Sequence, residues 1–134
     1  MRKQAIANQN VGIWIDHKEA FIVFNQEDLI GTQSTTSGME KHVRYSPHLA
    51  EIGGLAEDQR DKRFNLHLDR YYDEVIAHIR DATSIFIFGP GEAKGEFKKR
   101  LEHTGLRGHI VGFETVDKLT SHQIIAKVQA YFKK

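Results

Sequence analysis

Cysteine is absent from this chain of 134 residues, and proline occurs only twice. The first absence excludes disulfides and thiolate metal centres and suits a reducing compartment, so the chain is expected in the cytoplasm. Long hydrophobic runs are missing too: nothing approaches the roughly 20 apolar residues of a membrane span. The first ten residues turn polar where a secretory signal would need an apolar core. Charge of one sign is equally scarce, with a formal net charge of +1. Any polyanion would therefore have to be held by a local basic surface and not by the field of the whole molecule.

What remains is the composition of one globular domain, 1–134, with a flexible arm expected at 1–10. Residues 11–15 (VGIWI) and 20–24 (AFIVF) are short, β-branched and aromatic, and a polar tetrad, Asp16 to Glu19, separates them. That pattern predicts a strand, a turn and an antiparallel strand. A weaker, threonine-rich strand is expected over 29–36. From 37 to 58 no period holds, which predicts a long loop, shortened if 42–45 is a strand.

Helical spacing then takes over. Phe64, Leu68, Tyr71, Val75 and Ile79 draw one apolar stripe, predicting a helix from about residue 59 to 80. Residues 84–88 are apolar on both faces, as in a covered parallel strand. The next helix turns Ala93, Phe97 and Leu101 inward and stops by Gly105. A strand over 109–113 and a final helix follow. Thr120 and Gln123 have capping-box spacing, and Leu119 and Ile124 can staple the start of that helix. The order β-β-β-α-β-α-β-α predicts an α/β domain of ribonuclease H-like topology, a five-stranded mixed sheet of order 3-2-1-4-5 with three main helices. That order reverses between the first and fourth strands, so a crevice is expected beyond their C-terminal ends. Asp16 and His17 lie on one side of it, Gly89 and Gly91 on the other.

The segment IFIFGPGEAKGEF over 85–97 sets Gly89, Pro90 and Gly91 between a strand and a helix. Unpaired amides at the helix start, its dipole and Lys94 in the first turn could hold a phosphate. Glycines 89, 91 and 95 nevertheless miss the dinucleotide spacing by one residue, and no P-loop Gly-Lys-Ser/Thr follows. The plainer reading is a tight turn stiffened by Pro90. For RNA contact the candidates are Lys94, Lys98 and Lys99 here, and Arg60, Lys62, Arg63 and Arg70 on the long helix. Acidic residues interleave with both groups, and Glu96 stands at surface-pair spacing from Arg100. The eight histidines show no paired ligand spacing, so no metal and no cofactor are expected. Asp16, Asp69, Asp73 and Glu74 are the carboxylates a two-metal nuclease would draw on, but glycine and proline follow the fourth strand where another ligand is needed. Asp16 reads more simply as a turn residue.

VGIWIDHKEAFIV, Arg63-Phe64, YYDEV at 71–75 and above all IFIFGPGEAKGEF resemble the central domain of archaeal and eukaryotic peptide-chain release factors and of Pelota. The similarity runs from about residue 11 to the C-terminus and looks closest to the small stand-alone bacterial relatives described as translational machinery proteins. It implies a translation-associated role, with ribosome, tRNA or other RNA as partner. In release factors of this family a Gly-Gly-Gln loop before the long helix helps position water against the peptidyl ester. The corresponding loop here keeps Gly53 and Gly54 but has Leu55 in the glutamine position, and Gln59 is displaced by four residues. Leucine cannot orient water through a side-chain amide. The resemblance thus points to binding without autonomous catalysis. A ribosome-dependent peptidyl-tRNA hydrolase, a nuclease and a protein-interaction module are the alternatives.

Overall fold

A computed structural model of the chain describes residues 9–26, 29–38 and 55–133, the side chains of 55–65 excepted. The elements run β1 (Asn10–Ile15), β2 (Glu19–Gln26), β3 (Leu29–Thr36), α1 (Leu55–His78), β4 (Ser84–Gly89), α2 (Ala93–Glu102), a 3-10 turn at Arg107–His109, β5 (Ile110–Thr115) and α3 (Ser121–Lys133). One sheet of order β3-β2-β1-β4-β5 joins the strands. β1 pairs antiparallel with β2 and parallel with β4, and β4 pairs parallel with β5. This is the predicted strand order.

Side chains that alternate along the strands sort into two cores. Val11, Ile13 and Ile15 of β1, with Ile85 and Ile87 of β4, meet Leu68, Tyr71, Val75, Phe97 and Leu101 of α1 and α2. Trp14, Phe86 and Phe88 point the other way and meet Ile124 and Val128 of α3. The sheet is therefore the middle of three layers, with α1 and α2 on one face and α3 on the other. Each fully buried Ile or Phe is worth about 1.5–3 kcal/mol. The capping box closes as expected: Thr120 Oγ1 accepts from the Gln123 amide at 3.2 Å and Gln123 Oε1 accepts from the Thr120 amide at 2.9 Å. Such caps contribute about 1 kcal/mol.

Two boundaries differ from expectation. Helix α1 begins at Leu55 and not near residue 59, because Leu-Ala-Glu-Asp-Gln-Arg is a run of mostly good helix formers that extends the helix beyond its apolar stripe. β5 runs to Thr115 and starts only after the 3-10 turn. The expected strand at 42–45, Gly53 and Gly54 lie outside the described residues. Among the described residues no helix is long and apolar enough to cross a membrane.

The α3 layer is tight enough to forbid a side chain at one position. A Cβ placed on Gly12 would lie 2.2 Å from Val128 Cγ2. Gly12→Ala should lower stability by about 1–3 kcal/mol, the usual cost of overpacking, and Val128→Ala in the same chain should recover part of it. Urea midpoints of the two single variants and the double variant test this. Simple additivity would show that the two residues do not meet.

Candidate functional site

β1 and β4 end side by side, because the parallel ladder carries Trp14 opposite Phe88. Just beyond that pair, a Cβ on Gly89, which has φ 155°, would sit 2.3 Å from the Ile15 carbonyl oxygen. Only glycine lets the two backbones approach this far. Gly91 takes a left-handed φ of 62° with open space around it and turns the chain into α2. The Val116 amide donates to the Gly89 carbonyl at 3.0 Å and draws the end of β5 to the same corner. Asp16 and His17, the Gly89–Gly91 turn and the residues after β5 thus share one end of the sheet.

Asp16 there shapes the hairpin. Its Oδ1 accepts the amides of Lys18 and Glu19, both at 2.8 Å, and its carbonyl accepts the Tyr71 hydroxyl at 2.9 Å. His17 reaches across to α2, where its Nε2 lies 3.0 Å from Glu96 Oε1. The Tyr72 hydroxyl donates to the same oxygen at 2.7 Å. Glu96 therefore ties the hairpin, α1 and α2 together. Sequence spacing suggested Arg100 as its partner instead. Arg100 is taken by Asp73, through Nε–Oδ1 at 2.6 Å and Nη2–Oδ2 at 2.9 Å, with Asp69 Oδ1 3.3 Å from Nη1. A bidentate carboxylate across the helix pair outcompetes a single i,i+4 contact.

Between α1 and α2 these groups border a groove of about 620 Å³ whose lining includes Tyr72, Asp69, Asp73, Glu96, Lys99 and Arg100. Tyr71 and Tyr72 are both 2% exposed. Their pKa values lie well above the ordinary tyrosine value, through burial first, then the Asp16 charge for Tyr71 and the hydrogen bond to Glu96 for Tyr72. Both hydroxyls stay protonated and donate. Three of the four carboxylates singled out for two-metal chemistry are engaged elsewhere, Asp16 with backbone amides and Asp69 and Asp73 with Arg100, while Glu74 is exposed on α1. Among the described residues no three His, Asp or Glu side chains are placed to hold a metal ion.

Lys94 is only 6% exposed. Its Nζ donates to the Gly91 carbonyl and lies 5.8 Å from the centre of the Phe113 ring. The ammonium is thus tucked under the loop, and the first turn of α2 carries no side-chain cap. Lys98 pairs with Glu102 at 3.0 Å and lies 5.6 Å from the same ring. Leu55 is the first residue of α1. The side chains of Arg63 and Leu55 are outside the described residues, as are Gly53 and Gly54. Neither the Glu96 bridge nor the meeting of Lys94 and Lys98 at Phe113 was read from sequence, since both join segments far apart in the chain.

No family profile and no curated protein matches this chain. Solved structures do. The Pelota protein of Thermoplasma acidophilum superposes with a TM-score of 0.58 at 17% identity, over 92% of this chain and 32% of that one. Dom34 of S. cerevisiae, described as a translation termination-like factor involved in RNA quality control pathways and interacting with Hbs1, gives 0.51 at 8% identity, over 92% and 33%. The chain thus spans about a third of the length of either. At such identity the likeness is one of fold: this α/β domain has the architecture found within translation termination-like factors.

Two pH responses follow from the network. The Arg100 hydrogen bond and charge hold the Asp73 carboxyl below its ordinary value. Its stabilisation is present above about pH 4 and is lost as pH falls through the lowered value. Arg100→Ala should therefore cost up to about 1 kcal/mol at neutral pH, as the pair is exposed. The gap to the parent chain should close in acid; a gap constant down to pH 2 in urea titrations would refute the assignment. Tyr72, held protonated, stabilises the fold below about pH 10, and this is lost above, where unfolded tyrosines ionise. Tyr72→Phe should cost about 1 kcal/mol at pH 7 and progressively less above pH 10.

Proposed function

We propose that this domain is a translation-associated RNA- or ribosome-binding module that performs no reaction of its own. The observation that carries the reading is the match of nearly the whole chain to the Pelota and Dom34 folds. It is joined by the Gly89-Pro90-Gly91 turn and the lysines of α2 in the segment of strongest family resemblance. Fold likeness is an analogy and not a mechanism, so the binding chemistry has to come from the residues. The Lys98 and Lys99 side chains supply it, each phosphate contact giving charge-assisted hydrogen bonds. Leu55, in the position that the resemblance aligns with the release-factor glutamine, offers no side-chain amide with which to orient water in peptidyl-tRNA hydrolysis.

Co-sedimentation with ribosomes at two ionic strengths is the decisive measurement. Binding should weaken steeply with salt, and on single-stranded RNA the log-log slope should be about −0.7 per phosphate contacted. Lys98→Ala should reduce that slope by roughly one contact's worth. Affinity flat in salt would overturn the phosphate model, and peptide release from stalled ribosomes or Mg²⁺-dependent RNA cleavage would overturn the absence of a reaction.

A further inference from the structure

Phe113 lies on β5, the last strand of the sheet, and is 43% exposed. Its position depends on an irregularity in the ladder. Ile85 pairs with Ile110, but Phe86 pairs with Gly112, leaving Val111 as the extra residue of a bulge. In an unbroken ladder Phe113 would pair with Phe88 and point toward α3. With the bulge it pairs with Ile87 and turns to the face covered by α1 and α2, where the Lys94 and Lys98 ammonium groups lie 5.8 and 5.6 Å from its ring centre. Bulges commonly re-aim a side chain in this way.

The α3 side holds the bulge in place. The Tyr131 hydroxyl donates to the Val111 carbonyl at 2.7 Å, and its ring stacks on Phe86 at 4.0 Å with an interplanar angle of 4°. Gly112 fits beneath that stack, since a Cβ there would lie 2.5 Å from the Tyr131 hydroxyl. Glu114, the next residue, falls on the α3 side and is neutralised by Lys127 at 2.9 Å. The local arrangement puts Glu114 on the α3 side and sets two ammonium groups over the Phe113 ring, that of Lys98 together with its Glu102 partner.

We propose that Phe113 is a stacking platform for one unpaired base of single-stranded RNA, with Lys98 receiving the adjoining phosphate. The inference rests on the RNA-binding reading above and gives it a specific contact surface. A nucleotide offers both a π face and a neighbouring negative charge, matching the ring and the ammonium together. An apolar peptide strand added to the same edge would match the ring but make no use of the Lys98 charge, whose present partner is Glu102 on its own helix. The Lys98–Glu102 pair is half-exposed and of low worth, so a phosphate can displace it.

Fluorescence anisotropy with labelled oligouridylate and oligoadenylate, alongside ribosome co-sedimentation, tests the proposal. Phe113→Ala should weaken oligonucleotide binding by roughly 5- to 150-fold, the range for one stacked base, with the salt slope unchanged. Phe113→Trp should restore affinity. Lys98→Ala should instead reduce the slope by about one phosphate contact's worth. Circular dichroism and urea midpoints confirm that each variant folds. If the parent chain binds RNA or ribosomes and Phe113→Ala binds equally well, the platform is overturned while the RNA-binding reading stands. If the parent binds neither, both fall. A concentration-dependent dimer of the parent that Phe113→Ala abolishes would assign this edge to a second copy and overturn the platform.

Discussion

The parallel pairing of β1 with β4 sets almost every other feature of the molecule. β1 is hydrogen-bonded on both edges and buried on both faces, and it hands its direction to the antiparallel hairpin on one side and the parallel crossovers on the other. Where the pair ends, the Ile15 carbonyl and Gly89 meet so closely that no side chain fits. That contact brings the hairpin turn, the Gly-Pro-Gly corner and the end of β5 to one place. The reversal of strand order places a crevice there in principle, but the side chains around it reach sideways into the groove between α1 and α2.

Glu96 is the residue through which that end of the molecule coheres. It receives the Tyr72 hydroxyl and faces His17, so a side chain of the strand-to-helix segment touches both the hairpin and the long helix. Arg100, freed from Glu96, binds the two aspartates of α1. The helix pair is thereby joined by apolar contacts below and by a belt of charges above. Individually the exposed pairs are worth little, but together they fix which carboxylates face the groove.

Strand order was legible from the succession of elements and the handedness of their crossovers, and helix faces because they are periodic. The apolar run of residues 11–15 marks a buried strand, and the spacing of Leu68, Tyr71 and Val75 marks a buried helix face, without reference to any partner. The Thr120–Gln123 cap was legible because both halves lie within one turn. Less could be read of the site. His17 and Glu96 stand 79 positions apart, and no local pattern links a hairpin to a helix. The inward turn of Lys94 was hidden for a different reason: its acceptor is a backbone carbonyl of the preceding loop, whose direction depends on the left-handed turn at Gly91. The Val111 bulge was hidden as well, since periodicity reads one strand at a time and register is a property of two.

The chain's single tryptophan, Trp14, is 1% exposed and belongs to the layer under α3, with its indole Nε1 directed at the Asp117 carbonyl at 3.4 Å. Tyr71 and Tyr72 belong to the opposite layer. The indole therefore belongs to one face of the sheet alone. Indole fluorescence reports detachment of the C-terminal helix, whereas tyrosine absorbance reports both layers, Tyr71 and Tyr72 under the helix pair and Tyr131 on α3. The order in which the two layers come apart can be followed in the unlabelled protein.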